Sequence, residues 1–241
     1  MTTAVTAVDL LAIGPHPDDI EIGMGGTVAK HTTQGARVGL CDLTAGEMGS
    51  NGTVEERLAE AEAARTVLGA AWRVNLRLPD RAIGSEDSHV RAVASLVRRA
   101  RPRVVAIPYW SDRHPDHVAA SRLLTESVFS AGLRRYEAQG DAWKPEWVCY
   151  YFINDSTDPS FVVDVSGQYD VKRRALAAHA TQFAPTGTDA VPTRLTSSRF
   201  QQLIESRDAQ FGARAGVAFA EGFIVQQPIV RPDLLPEWNA R

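Results

Sequence analysis

VDLLAIGPHPDD (8–19) begins as an apolar run and ends in a turn carrying one histidine and two aspartates. Residues 8–14 read as a short buried strand that Gly14-Pro15 stops. The arrangement recurs at VVAIPY (104–109), a nearly pure apolar strand followed by WSDRHPDH (110–117). Between and after them, strand-like and helix-like segments alternate. VGLCDLT (38–44) and WRVNLRLP (72–79) read as strands. Residues 24–34, VEERLAEAEAARTVLG (54–69), HVRAVASLVRRA (89–100) and DHVAASRLLTESVFSAG (116–132) read as helices. Thr53 is placed to cap the second of these, with Glu56 completing a capping box. Such alternation implies βαβ units and an α/β fold: a Rossmann-like, mainly parallel sheet flanked by helices. WVCYYFI (147–153) and FVVDV (161–165) add strands, and helices are expected around 168–180 and 196–212. The segment 182–195, rich in Thr, Pro and Gly, reads as a loop over the site. The expectation is one domain over 1–241, with 1–135 as the Rossmann-like core and 136–241 as a smaller C-terminal cap that completes the site.

The 241 residues are 44% hydrophobic and 23% charged, ordinary values for a globular chain. A net charge of −3 argues against nucleic acid as the main partner, which needs a basic face. No stretch approaches the ~18 apolar residues of a membrane span. The N-terminus lacks a basic region and reads as a core strand rather than a signal peptide. Cys41 and Cys149 lie in apolar runs without zinc-motif spacing and read as inert core thiols. A cytoplasmic location follows as the default.

Both His-Pro-Asp turns sit at the carboxyl ends of predicted parallel strands, where such sheets bind ligands. Imidazole and carboxylate suit zinc, and a catalytic zinc takes three protein ligands and keeps one open position. His16 and Asp19, three apart, can face one point from a single turn, and His117 completes the set from the other loop. Asp18 is left beside the metal, where a carboxylate can take a proton from an attacking water. His114 and Asp116 are also left over: a histidine oriented by an aspartate can stabilise an oxyanion or protonate a leaving amine. His31 and His89 read as surface or capping residues, while His179 precedes the loop and could reach the site. GMGG (23–26) lacks the full glycine-rich dinucleotide pattern and reads as glycines permitting close backbone packing. No Walker-type lysine motif and no nucleophile elbow is present.

GPHPDDIEIGMGGT together with YWSDRHPDH resembles the LmbE-like (PIG-L) family of zinc-dependent N-acetylglucosaminyl deacetylases. CDLTAGEMGSNGTVEERLAEAEAA (41–64), NLRLPDR (75–81), VFSAGLRRYE (128–137) and VAFAEGF (217–223) make it most similar to the bacillithiol branch, which deacetylates N-acetylglucosaminyl malate. The resemblance implies zinc, or iron(II) or another divalent metal, one per chain, on His16, Asp19 and His117. It implies Asp18 as general base and His114, paired with Asp116, as the group holding the tetrahedral intermediate. It further implies that Arg57 and Asp80 bind the sugar, that Arg113 meets an anionic aglycone, and that the chain forms a homo-oligomer, up to a hexamer. On the residues alone Arg57 reads as a solvated helix charge or a partner of Glu60. One departure stands out: some relatives use a late tyrosine at the oxyanion, and no tyrosine follows Tyr169 here. Arg194 and Arg199 are the candidates to replace it. Two other readings stay open: a deacetylase of another amino sugar, such as a mycothiol precursor or a chitooligosaccharide, and a metal- or sugar-binding protein without catalysis.

Overall fold

A computed structural model describes residues 4–186 and 190–230, so parts of the 1–241 span and of the 182–195 loop lie outside the described residues. In chain order the first half comprises β1 (Leu10–Gly14), α1 (Asp19–Thr33), β2 (Val38–Asp42), α2 (Val54–Leu68), β3 (Trp72–Asn75), α3 (Asp87–Ala100), β4 (Val104–Pro108) and α4 (Pro115–Ala131). The second half comprises β5 (Trp147–Tyr151), β6 (Phe161–Asp164), α5 (Tyr169–Ala178), α6 (Ala180–Phe183), α7 (Ser198–Ala215) and β7 (Ala220–Ile224).

The seven strands form one sheet in the order β3-β2-β1-β4-β5-β7-β6. The first five are parallel, and β7 runs antiparallel to both its neighbours. The α/β fold read from the sequence is therefore present. β1 alternates its side chains between two cores: Leu11 and Ile13 face one, with α3 and α4, while Leu10 and Ala12 face the other, with α1, α2 and α5. Strand order reverses at β1, which pairs with β2 on one side and β4 on the other. The turns after β1 and β4 are thus neighbours, and both His-Pro-Asp motifs open at this switch point.

Three differences from the sequence reading have local causes. β7 is a strand that the sequence pattern hides, because AEGFI places a glutamate and a glycine inside it. Glu221 is nonetheless fully buried there. α1 begins at Asp19 rather than 24, since its glycines sit inside the helix instead of ending it. A Cβ on Gly23 would strike the Tyr151 ring and the Phe152 carbonyl, which is the close packing expected of GMGG. β3 stops at Asn75, because Arg77 and Arg81 take positive φ (55° and 65°) on either side of Pro79. The Thr53–Glu56 capping box on α2 is formed as expected.

Those glycines let α1 break at Met24 (φ −149°, ψ 23°), and buried charges satisfy both sides of the break. Arg207 donates to the Ile22 carbonyl at 2.7 Å and to the carbonyls of Phe152 and Ile153. Glu221 accepts from the backbone N–H of Gly26 (2.9 Å) and Thr27 (2.6 Å). Lys172 joins Glu221 to Asp208, each at 2.6 Å. Charges this deeply buried persist only when paired, and here every one is.

Candidate active site

The turn after β1 is tight. Asp18 sits at the N-cap of α1 with φ 124° and ψ −26°, a backbone conformation that a side-chain-bearing residue rarely adopts. Such strain survives only where surroundings impose it, and it collects at functional positions. Here the Asp19 carboxylate takes the His16 backbone N–H at 3.0 Å, closing the turn so that His16, Asp18 and Asp19 share one end of the helix. The second turn is built differently. His114 is the N-cap of α4 and Pro115 begins the helix, a position where a missing N–H costs nothing. His117 follows within the first turn and faces β1's loop.

His16 Nδ1 lies 3.0 Å from Asp19 Oδ2, and His117 Nε2 lies 3.4 Å from Asp19 Oδ1. These three donors fall within 4.8 Å of one another. A tetrahedral zinc with bonds of about 2.0–2.2 Å needs ligand atoms about 3.3 Å apart, so the set fits such an ion. The charge balance points the same way. Asp18, Asp19, Asp80, Asp112 and Asp116 converge on this centre, and Arg57 is the buried guanidinium among them. Burial opposes charging His16, but hydrogen bonds to Asp116, Asp19 and Asp80 outweigh it and hold its pKa well above the ordinary value. Burial likewise opposes a charge on His117, and Asp19 and Asp112 raise its pKa. The surrounding carboxylates thus favour positive charge at this centre.

Asp18 is buried, and burial together with the neighbouring Asp19 charge pushes its pKa up to about 6, against the pull of Arg57. Arg57 is 5% exposed. Its guanidinium donates to the carbonyls of Gly46 (2.8 Å) and Pro17 (3.1 Å) and reaches the Asp18 carboxylate at 3.5 Å. Neither a solvated charge nor a Glu60 pair describes it, since Glu60 holds Thr181 instead. Gly46, at φ +68°, leaves room for the guanidinium that any Cβ would strike.

The pairing of His114 with Asp116 takes an unexpected form. The Asp116 backbone N–H donates to His114 Nδ1 at 3.2 Å, because a residue in the first turn of α4 has a free N–H. The Asp116 carboxylate turns elsewhere, to the backbone N–H (3.0 Å) and guanidinium (2.8 Å) of Arg81 and to His16 Nε2 (3.4 Å). With Nδ1 accepting, neutral His114 carries its proton on Nε2. Burial, then the neighbouring His117 and His16, lower its pKa, so it favours this neutral form. Asp80 also addresses His16 Nε2, at 3.2 Å, while its other oxygen takes the Met48 N–H at 3.0 Å.

These residues line a cavity of about 300 Å³ that includes His16, Asp18, Asp19, Arg57, Asp80, Arg81, His114 and His117. Arg113 and Arg194 line it as well, along with Thr193 and Leu195 from the expected loop. Neither Arg113 nor Arg194 has an acidic partner among the described residues, and Arg194 lies 5.1 Å over the Phe200 ring. Arg199 is exposed and is not part of the cavity wall. His179 does not reach the cavity either: it is buried behind it, 3.5 Å from Glu21. His89 holds the Gly84 carbonyl, in line with a capping role. Both cysteines are buried, and burial pushes the Cys149 thiol up to about 12.

Arg81 and Asp112 carry no role in the sequence reading. Asp112 Oδ1 lies 3.0 Å from His117 Nδ1, on the ring nitrogen opposite the ligand position. The Asp112 carboxylate also accepts the backbone N–H groups of His114 and Asn154 and the Asn154 amide. A metal-ligating histidine nearly always gives its second nitrogen to such an acceptor, and an aspartate two residues before HPDH was the available signal. Asp112→Asn is expected to lower metal affinity about 10–100-fold, measured by competition with a chromophoric chelator, with the fold unchanged by circular dichroism. An unchanged affinity would remove Asp112 from the centre.

Comparison with known proteins agrees with this geometry. Residues 11–128 match the family model PIG-L, described as GlcNAc-PI de-N-acetylase. The diacetylchitobiose deacetylase of Thermococcus kodakarensis is 32% identical over 189 residues, covering 72% of this chain and 70% of its own. The 1D-myo-inositol 2-acetamido-2-deoxy-alpha-D-glucopyranoside deacetylase of Rhodococcus opacus is 27% identical, covering 75% of this chain and 84% of its own. The crystal structure of a conserved protein from Thermus thermophilus superposes with a TM-score of 0.85 at 38% identity, covering 93% of this chain and 97% of that one. With both motifs assembled at one switch point, the chain belongs to the PIG-L family and is an amide hydrolase of the N-deacetylase kind.

Proposed function

We propose that the protein hydrolyses the acetamide of an N-acetylglucosamine conjugate, with N-acetylglucosaminyl malate as substrate and glucosaminyl malate and acetate as products. The observation that carries this reading is the surplus at the centre. His16, Asp19 and His117 suffice to hold an ion, yet Asp18 and His114 face the same cavity without being needed for that task. Zinc is the proposed ion; bound there, it would polarise the acetamide carbonyl and acidify water. Asp18 takes the proton of the attacking water, and its raised pKa suits a base working near neutrality. The Nε2–H of His114 donates to the oxyanion of the tetrahedral intermediate. The proton gained by Asp18 then passes to the leaving nitrogen, which restores the carboxylate and frees the amine.

Arg57 and Asp80 are proposed to hold the sugar. Both have prior partners, but each carboxylate oxygen of Asp80 keeps a second lone pair for a hydroxyl. Arg113, without an acidic partner among the described residues, would take the aglycone carboxylate as a two-point hydrogen-bonded pair. Arg194 would add a second positive charge to that wall in place of a tyrosine. A neutral aglycone, as in the diacetylchitobiose or inositol compounds named for the relatives, is the second reading. The test is acetate release from N-acetylglucosaminyl malate against N-acetylglucosamine. The malate conjugate is expected to have the higher kcat/KM, and Arg113→Met to cost it about 10–100-fold, mainly through KM. Equal rates on both substrates would exclude the anionic-aglycone reading and leave the hydrolase reading intact. We further propose that the chain acts as a single domain, in the cytoplasm and as a homo-oligomer. No described helix is long and apolar enough to cross a membrane.

A further inference from the structure

α4 buries one face against α3, and no element among the described residues packs on the other. Val118, Arg122, Thr125, Glu126 and Phe129 are all exposed and fall within about 100° of arc at 3.6 residues per turn, forming one stripe. Its apolar members are large: Phe129 is 70% exposed and Val118 40%, with Trp110 (40%) beside them. Three of the exposed large hydrophobic side chains, Trp110, Val118 and Phe129, thus gather on one surface, which is the pattern of a contact site rather than of scattered surface residues. Alongside the stripe runs a groove of about 550 Å³ lined by Trp110, Val118, Ser121, Phe129 and Tyr150. The Ser121 hydroxyl is buried at its floor and has no hydrogen-bond partner.

The charges on the stripe select the occupant. Arg122 and Glu126 are one turn apart, yet they form no ion pair with each other or with another described side chain. From either end the stripe reads apolar residue, charge, opposite charge, apolar residue. A helix of this pattern is complementary to itself when a two-fold axis crosses it between Arg122 and Glu126. In that antiparallel pairing Arg122 meets Glu126 of the partner subunit, and the reciprocal pair forms by symmetry. Val118 then meets Phe129 of the partner subunit, whose ring enters the groove beside Trp110.

We propose that this face of α4 is a two-fold interface between two copies of the chain. The inference rests on the homo-oligomer reading and not on the chemistry proposed for the site. It also touches the site physically, because Trp110 leads directly into Asp112 and Arg113. A seated partner would hold that segment still.

The experiment is a measurement of mass in solution for the full chain, by light scattering and sedimentation, with four variants. The native chain is expected to be a dimer or an even multiple of one. Phe129→Glu is expected to halve that number while leaving the far-UV circular dichroism spectrum of the subunit unchanged, since the residue is exposed. Arg122→Glu and Glu126→Arg each set two like-charge pairs across the axis and are expected to weaken the dimer about tenfold or more. The double variant R122E/E126R restores both pairs with reversed sign and should regain native affinity. A monomeric native chain would overturn both the homo-oligomer reading and this interface. An assembly that survives Phe129→Glu, or a double variant no tighter than the single ones, would overturn the interface alone.

Discussion

Asp18→Asn is expected to bind one zinc per chain as the native protein does and to lose about 10²–10⁴-fold in kcat, with KM little changed. The change is isosteric, and the neutral amide keeps the hydrogen-bonding size of the carboxylate, so the strained turn at φ 124° is retained. What disappears is the proton acceptor. The native pH profile should show it as well. A base works only when deprotonated, so kcat/KM should fall as pH drops through the Asp18 pKa. Burial and Asp19 lift that pKa to about 6, and a bound cation would draw it back down. The acid limb is therefore expected at or below about 6, and it should vanish from the residual activity of the variant. A variant with bound zinc and a near-native rate would remove Asp18 from the role of base.

Removing the metal should cost more. Dialysis against a chelator is expected to abolish turnover, and added zinc to restore it. His117→Ala should show neither metal nor recovery, because two donors from one turn cannot replace three from two loops. Proton release gives a second readout. His16 and His117 have raised pKa values despite burial, through Asp116, Asp19, Asp80 and Asp112 around them. Zinc binds only the deprotonated rings, so rebinding should release protons and weaken as pH falls through those raised values. Metal loss should also lower the melting temperature, since an ion present at a hundredfold its Kd contributes about 2.7 kcal/mol to the folded state. Full activity in the stripped protein would end the metalloenzyme reading.

The parts of the site that the sequence makes legible are those whose meaning is local. His16, Asp18 and Asp19 share one turn, His114 and His117 another, and strand alternation puts both turns on one rim. Contacts made across long stretches of chain are not legible in that way. Arg57 looks like a solvated charge because its helix carries many, and the loop through Gly46 and the turn at Pro17 enclose it from elsewhere in the chain. Adjacency assigns Asp116 to His114, whereas Arg81, thirty-five residues upstream, claims its carboxylate. Asp112 is visible within DRHPDH but has no job until the second ring nitrogen of His117 is seen beside it. β7 escapes the sequence pattern because a glutamate in its middle makes no sense until Lys172 and the broken α1 are seen around it.

That broken helix bears on the order of events at the ribosome. Both His-Pro-Asp turns belong to the first 117 residues, whereas the groups that fix α1 in place, Arg207 and Glu221, come from the last fifth of the chain. A nascent chain therefore displays every proposed ligand long before it can hold them in register. A premature stop before Arg207 would leave a polypeptide with the complete signature and an unfixed centre. Loading of the proposed metal would in this sense be a late step of biogenesis, set by the arrival of a strand that carries none of the proposed ligands.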